Sequence, residues 1–479
     1  MAALAIVACS AQVRAQTAQV WNQAHADSAN TGFVDVRTKP ADLPIRKIEG
    51  LGQIAPGSGP VFASDGTVYL ATSGGKLHAF TPHGDLKWTG SPPAILTFQA
   101  SPAVGTDGTI YVVGGQVARD HRGGETVLRY DSRLIRFSPA GTLLSVTSFP
   151  AHHPEQYGTG TTSAAPMLWR SEGAEFVMIP AIYRAFSTTE LHLLAFSHDG
   201  SLMFDQLVTQ VTLGDVTGDS DLHWWCLYIF CYSLNDLFGL TPTVPIPGAN
   251  ELPVEAETPL PSVGVSRDPN PVVVVADNNQ HLIGYNFSPT GGFTELFRKH
   301  LATGQIRMSS PTLLQSGHSV ISANYGDEGW LLSGGPSPQN WTEVVIPRAR
   351  ATPALTNDGR IISVARDGTV RAVSTSPNRT VIGSVGLGAE TIAPVAASCT
   401  HLFVSTVSSL VTLDARSLAE MARFSWKAGG QSPPAIGPSG MVYAFAENSL
   451  FIFPAPRVGR FVLTPLTCRD VLIKSPTAD

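Results

Sequence analysis

The sequence predicts an all-β protein in which four-stranded antiparallel blades, eight or alternatively seven, close into a β-propeller. Three observations lead to this prediction: a recurring unit of about 40 residues, Asp-Gly turns between short apolar segments, and low charge. Only 14% of the 479 residues are charged and 43% are hydrophobic, which excludes an intrinsically disordered chain. The net charge of −6 provides no basic surface, so general nucleic-acid binding is also excluded.

The repeat is clearest in two segments, GPVFASDGTVYL at 59–70 and SPAVGTDGTIYV at 101–112. Each contains a short strand, a tight Asp-Gly turn and a second strand, which is the pattern of a β-hairpin. A third strand at 76–80, a Pro-x-Gly turn at 82–84 and a fourth strand ending at Trp88 complete the first unit.

A proline marks the start of each unit. The marker prolines are Pro60, Pro102, Pro166, Pro261, Pro311, Pro353, Pro394 and Pro433, and four of the seven intervals between them are 39 to 42 residues. A unit of this length with four strands is typical of a propeller blade. Proline suits the start of an inner strand, where no donor to the sheet is needed. The repeat at Pro311 is weak, so a seven-bladed ring stays open.

The repeats divide the chain into four segments: an export-signal-like segment at 1–19, a lead-in at 20–57, the propeller at 58–455 and a C-terminal tail at 456–479.

The first segment has an apolar start and small residues before Gln16, as signal peptides do. We therefore expect an exported protein, periplasmic or secreted. The residues before Cys9 are similar to a bacterial lipobox, so a lipid anchor to the outer membrane is an alternative. No apolar run approaches the roughly 20 residues that span a membrane.

Five cysteines, Cys9, Cys226, Cys231, Cys399 and Cys468, occur without a CxxC motif, which excludes a zinc ribbon and an attached c-type haem. In an exported chain the last four can form two disulfides. The alternative of four buried thiols stays open.

Three insertions, at 114–133, 151–160 and 209–257, exceed the blade template, and loops on a rigid scaffold often carry function. The second contains His152, His153 and Glu155, whose imidazole and carboxylate groups suit transition metals. Such a site would need further ligands from elsewhere in the chain. The alternative is an ordinary surface loop.

The insertion at 209–257 contains seven acidic residues, six aromatic ones and no lysine or arginine. It is expected either to contact a partner or substrate as a lid, or to be a packing loop. Asp215, Asp219 and Asp221 flank a glycine within it, and their spacing can turn several oxygens toward a calcium ion, which binds six to eight. The alternative is a plain acidic turn, because the pattern of an EF-hand is not matched.

The Asp-Gly-Thr-Val-Tyr segments and the Leu-x-Ala-Phe strands at 77–80 and 193–196 resemble the pyrroloquinoline-quinone-like β-propeller repeat family, within the quinoprotein alcohol dehydrogenase-like superfamily and related to WD40-like repeats. The lead-in from Trp21 through Asp27 to Phe33 is similar to the segment before the first blade in that family. Tryptophans at blade ends dock neighbouring blades in the enzymes of the family. In this sequence only Trp88 clearly matches such a docking tryptophan, and Trp426 matches it in part. This scarcity favours the non-catalytic members of the family over the enzymes.

The resemblance implies a monomeric scaffold that presents its loops and axial funnel to an unknown partner protein or ligand. One alternative is a quinoprotein dehydrogenase, for which the family implies bound pyrroloquinoline quinone and calcium, although no cofactor motif matches residue by residue. A second alternative is an extracellular propeller hydrolase or lyase with acids converging in the channel. Of the two classes, scaffold and enzyme, the sequence favours the scaffold.

Overall fold

The computed structural model describes the chain from residue 20 to residue 456. The described ranges are 20–55, 57–93, 96–122, 125–152, 160, 162, 164–171, 173–184, 188–212, 263–265, 272–277, 281–300, 307–314, 318–325, 328–335, 341–349, 351–375, 379–391, 393–427, 429–430 and 432–456. Within these ranges every regular element is a β-strand, and no helix long and apolar enough to cross a membrane is found.

Eight antiparallel sheets form eight blades, so the seven-bladed alternative is wrong. The lead-in contributes β1 (Arg46–Ile48). Blade one contains β2 (Val61–Phe62), β3 (Val68–Thr72), β4 (Lys76–Phe80) and β5 (Leu86–Gly90). Blade two contains β6 (Thr97–Phe98), β7 (Ala103–Val104), β8 (Ile110–Arg122), β9 (Glu125–Phe137) and β10 (Leu143–Ser148). Blade three contains β11 (Met167–Ser171), β12 (Ala174–Arg184), β13 (Thr188–Ser197) and β14 (Leu202–Thr212).

The remaining blades follow in chain order. Blade four contains β15 (Val263–Val265), β16 (Val272–Ala276), β17 (His281–Ser288) and β18 (Gly292–His300). Blade five contains β19 (Arg307–Met308), β20 (Thr312–Leu313), β21 (Ser319–Tyr325), β22 (Glu328–Gly334) and β23 (Thr342–Val345). Blade six contains β24 (Ala354–Leu355), β25 (Ile361–Val364), β26 (Thr369–Val373) and β27 (Val381–Gly386). Blade seven contains β28 (Ala396–Ala397), β29 (His401–Ser405), β30 (Ser409–Asp414) and β31 (Glu420–Ser425). Blade eight contains β32 (Ala435–Ile436), β33 (Val442–Ala446) and β34 (Ser449–Phe453).

The ring closes where the end of the lead-in meets the last blade. Strand β1 of the lead-in pairs antiparallel with β34, with Lys47 opposite Phe451, and becomes the outer strand of blade eight. The ammonium of Lys47 lies 5.3 Å from the centre of the Phe451 ring and 3.2 Å from a carboxylate oxygen of Glu447. The end of the lead-in is therefore an integral part of the last blade.

The Asp-Gly turns form as the sequence predicts. The carboxylate of Asp65 accepts hydrogen bonds from the backbone N–H and the hydroxyl of Thr67, at 2.8 and 2.9 Å. Gly66 between them has φ +82°, and a Cβ atom there would lie 3.0 Å from Pro82. The left-handed conformation and the close contact both require glycine at this position. Asp107 and Thr109 repeat the arrangement in blade two.

The core lies between neighbouring blades. All five residues of β3 are buried, as are all five of β33, because the second strand of a blade is covered on both faces. The fourth strands alternate between exposed and half-buried residues, as in β31, and form the outer perimeter of the ring. This difference between inner and outer strands gives a ring of stacked sheets. The outer strands still expose apolar side chains, among them Leu86, Val345 and Ile382.

The antiparallel order gives the ring two distinct ends. We call the end with the first-to-second and third-to-fourth strand turns the turn face. The other end, with the second-to-third hairpins and the connections between blades, is the hairpin face.

The insertion predicted at 114–133 is the extension of β8 and β9 toward the hairpin face, where these strands have 13 residues each. Of the insertion predicted at 209–257, residues 209–212 continue β14, and the rest lies outside the described residues.

Candidate functional site

The lead-in lies against the inner strands of successive blades. Its carbonyl groups accept hydrogen bonds from backbone N–H groups of blades one, two, five, six and seven; the pairs are Phe62–Trp21, Val104–Asn22, Leu313–Ala29, Leu355–Thr31 and Ala397–Gly32, at 2.7 to 2.8 Å. Gln23 bonds the backbone of Leu168 in blade three, and Ala29 packs with the core of blade four. Because the inner strands line the axis, the lead-in occupies the centre of the ring at this level and satisfies their donors.

A buried aspartate shapes the lead-in. The Asp27 carboxylate accepts hydrogen bonds from Ala29 N at 3.0 Å, Thr31 N at 3.2 Å and the Thr31 hydroxyl at 2.6 Å. These bonds hold the turn from which the carbonyls of Ala29 and Thr31 reach blades five and six. Nearby, burial lowers the pKa of His25 to about 4, so its imidazole is neutral at pH 7. The residues that carry the family resemblance in the lead-in therefore have a structural role.

Serine and threonine hydroxyls beside the marker prolines connect neighbouring blades around the axis. The hydroxyl of Ser432 donates to the carbonyl of Ser58 at 2.7 Å, Gly59 N donates to the Ser101 hydroxyl at 2.8 Å, and Thr312 donates to the Pro353 carbonyl at 2.6 Å. These hydrogen bonds join the inner strands of adjacent blades.

The two tryptophans singled out by the sequence both have their rings against the next blade, but their indole N–H groups have different partners. The Trp88 indole donates to the carbonyl of Pro139 in blade two at 2.9 Å, and a Cβ atom on Gly141 would lie 2.6 Å from the indole. Trp88 therefore docks blade one against blade two, as predicted. The Trp426 indole donates to the Thr406 carbonyl of its own blade, at 3.1 Å.

Two histidines and an aspartate meet where blade three extends toward the hairpin face. His152 Nε2 lies 2.6 Å from Asp205 Oδ2, and His192 Nδ1 lies 2.6 Å from Asp205 Oδ1. The three ligand-type atoms lie within 4.8 Å of one another. The side chains of His152, His192 and Asp205 are 32%, 7% and 19% exposed, so the cluster is open to solvent from the His152 side. We call these three residues the His-Asp cluster.

Tyr183 forms one wall of the His-Asp cluster. Its ring centre lies 4.4 Å from that of His152 and 4.8 Å from that of His192. Burial raises the pKa of Tyr183 well above its usual range, and the charge of Asp205 raises it further, so the hydroxyl stays protonated. Within the described structure this buried hydroxyl and His192 Nε2 have no hydrogen-bond partner, although Glu190 Oε2 lies 3.5 Å from that nitrogen.

Asp205 is ionised at neutral pH. Burial raises the pKa of this carboxyl, but hydrogen bonds and charge interactions with His192 and His152 outweigh burial and bring the pKa below its usual value. The cluster thus combines a carboxylate with two imidazoles, which is a donor set suited to first-row transition metals.

Sequence reasoning identified one member of this cluster. The sequence offers His152 either as a metal ligand that needs partners from elsewhere or as part of an ordinary surface loop, and the structure places Asp205 and His192 beside it. Its predicted neighbours His153 and Glu155 lie outside the described residues. Asp215, Asp219 and Asp221 also lie outside them, so the calcium loop stays a prediction.

Cys399 is disulfide-bonded, which favours the disulfide interpretation over four buried thiols. The other cysteines, at positions 9, 226, 231 and 468, lie outside the described residues. The pairing of the disulfides therefore stays open.

No family model matches the chain, and no curated protein sequence matches it. Among solved structures the chain is similar to BamB from Moraxella catarrhalis, with a TM-score of 0.51 and 11% identity over 86% of this chain and 99% of that one. It is also similar to the computationally designed protein Ika8 (TM-score 0.48, 12% identity, 85% and 99% covered) and to the dihydro-heme d1 dehydrogenase NirN in complex with DHE (0.47, 14%, 78% and 67%). The chain thus shares the propeller fold of BamB.

Proposed function

We propose that this protein is an exported, non-catalytic scaffold of the pyrroloquinoline-quinone-like repeat type that binds a partner protein on its hairpin face at blades two and three. The observation that carries this proposal is the length of the second and third strands. Strands β8 and β9 have 13 residues each, whereas the corresponding strands of blades one, six, seven and eight have four to six.

The extra length projects away from the ring. Eight residues more than in β3, at about 3.3 Å per residue, extend the hairpin of blade two by about 26 Å. A two-stranded hairpin is only marginally stable by itself in water. An extension of this size therefore gains stability when a partner covers it, and rim segments on a rigid ring are common binding elements.

The hydrogen bonds at the centre of the ring favour partner binding at the surface of the propeller over binding in its channel. The lead-in uses the inner-strand donors of five blades, and hydroxyls beside the marker prolines bond from one blade to the next. These groups stabilise the ring itself. The similarity of fold to BamB is consistent with a non-catalytic propeller, and the function rests on the extended hairpins of this chain.

Export is supported by the disulfide at Cys399, because disulfides persist in oxidising compartments and are rare in the cytosol. Fractionation of the tagged full-length protein, with thiol alkylation before and after reduction, tests this part. Cys399 should be alkylated only after reduction, and the protein should be found outside the cytosol. Alkylation of Cys399 in the untreated protein would contradict export.

The binding face is tested by shortening the hairpin of blade two. Gln116 and Asp131 are opposite each other in the ladder, and the Gln116 amide donates to Asp131 at 3.0 Å. Replacing 117–130 by Asn-Gly joins this pair through a two-residue turn that suits a hairpin. A photo-crosslinking residue at Ala151, on the hairpin face, should give one adduct in cells, and the shortened variant should lose it.

The matched control places the same crosslinker at His83, which is exposed in a turn on the opposite face. No corresponding adduct is expected there. Equal adducts from both positions, or an adduct from Ala151 that survives the shortening, would refute the proposed binding face.

A further inference from the structure

We propose that His152, His192 and Asp205 bind one divalent transition-metal ion, Zn²⁺, and leave its fourth coordination position open. This inference is independent of the proposed scaffold function. It rests on the positions of three ligand-type atoms, on the carboxylate beside His192, and on the elements that hold them.

The three ligand atoms are already close to the spacing that zinc requires. Zinc bonds to imidazole nitrogen and carboxylate oxygen are about 2.0–2.2 Å, which places the ligand atoms of a tetrahedral site about 3.4 Å apart. Both imidazole nitrogens now lie 2.6 Å from Asp205 oxygens, and all three atoms lie within 4.8 Å of one another. Outward shifts of less than about 1 Å would admit the ion between them.

The ligands come from separate and well-supported parts of the fold. His192 lies on β13 and Asp205 on the neighbouring β14, two strands of one sheet, and His152 lies in the connection from blade two. The imidazoles of His152 and His192 have their centres 4.2 Å apart, and Tyr183 lies against both. The sheet therefore fixes two ligands, and the connection brings the third.

The environment of His192 fits a metal ligand better than a hydrogen-bond donor to Asp205 alone. When neutral His192 donates from Nδ1 to Asp205, its Nε2 presents a lone pair toward Glu190 Oε2, 3.5 Å away. When the Nδ1 lone pair binds a metal, the proton of the neutral ring resides on Nε2 and points at that carboxylate. A carboxylate beside the second nitrogen is the usual support for a metal-binding histidine.

Two imidazoles and one carboxylate are a donor set that suits zinc, and three protein ligands leave one tetrahedral position for water or for a group of a bound molecule. The 32% exposure of the His152 side chain provides access for the ion from the solvent.

Zinc titration of the chelator-treated full chain, followed by calorimetry and metal analysis, tests the site. We expect one Zn²⁺ per chain at these residues, and an affinity at least about 100-fold lower in H152Q and in D205N. Cobalt(II) bound in place of zinc should show the intense visible absorption of a four-coordinate ion without a thiolate charge-transfer band.

The control variant is H198Q. His198 Nε2 pairs with Asp107 Oδ2 at 2.8 Å on the turn face. The H198Q substitution therefore removes a similar His–Asp pair, one that has no second histidine beside it. Its zinc affinity should equal that of the wild type. His152 lies in a connection outside the strands, so H152Q should fold, which the thermal midpoint in chelator would confirm.

Failure to retain zinc at micromolar free metal would overturn the proposal. Unchanged binding in H152Q and D205N would also overturn it, because the ion would then be bound elsewhere. Neither result changes the crosslinking test of the partner-binding face, which uses other positions and no added metal.

Discussion

Replacement of Asp27 by alanine tests whether the lead-in holds the centre of the ring together. The Asp27 carboxylate accepts hydrogen bonds from Ala29 N, Thr31 N and the Thr31 hydroxyl. Alanine removes the acceptor and leaves these donors unpaired. The variant Asp27→Asn retains one oxygen and serves as the conservative control.

The cost follows from the burial of the donors. An unpaired buried donor costs about 1–3 kcal/mol. Ala29 is buried, whereas Thr31 is half-buried and its two donors can bond to water in part. We therefore expect Asp27→Ala to lower the free energy of unfolding by about 2–5 kcal/mol, with a smaller loss in Asp27→Asn.

Urea denaturation measures the loss, and hydrogen exchange locates it. The turn held by Asp27 places the carbonyls of Ala29 and Thr31 against Leu313 N and Leu355 N. Peptides containing these two amides should lose protection from exchange. The amide of Val104 should keep its protection, because it donates to Asn22, which precedes the turn in the chain. A change below about 0.5 kcal/mol, or an equal loss of protection in all blades, would refute the reasoning.

Three further predictions concern other parts of the fold. Gly141→Ala should destabilise the protein by about 2–3 kcal/mol in urea, because φ is +86° and the new Cβ would contact Trp88, whereas Gly386→Ala, with open space, should have little effect. Burial keeps the folded pKa of His25 at about 4, below the unfolded value of 6.5, so the unfolded state binds more protons between these values. Stability should therefore fall by about 3 kcal/mol as the pH drops from 6.5 to 4, and His25→Gln should reduce this dependence in denaturation measured across that range. Zinc at 100 times its dissociation constant should stabilise the chain by about 2.7 kcal/mol, seen as a chelator-reversible rise in melting temperature that is absent in Asp205→Asn.

The sequence was sufficient to predict the ring because its determinants are local. Pro60 and Pro102 begin inner strands, and Asp65 and Asp107 fix their turns within two residues. Closure by β1 was not predicted, since Arg46–Ile48 is a three-residue strand with two charged residues and its partner β34 lies about 400 residues away. Pairing across that distance leaves no local pattern.

The His-Asp cluster was accessible to sequence reasoning only in part. His152 stands out in an insertion, but Asp205 is 53 residues further along the chain and His192 lies on the strand between. The register between β13 and β14 shifts between Leu191 and His192, and this irregularity affects which side chains meet across the two strands. No alternation of polar and apolar residues reveals such a shift.

The closure of the ring by β1 has a consequence for synthesis. The ribosome produces the lead-in first, whereas β34, with which β1 pairs, emerges after seven blades have been made. Until then the nascent protein is an open arc with an uncovered blade at each end and with lead-in contacts that span up to 371 residues. Contacts of such sequence separation make folding slow, and the uncovered apolar sheets are prone to aggregation in the meantime. The growing chain therefore needs protection, by a chaperone or by slow release, until its last blade is complete.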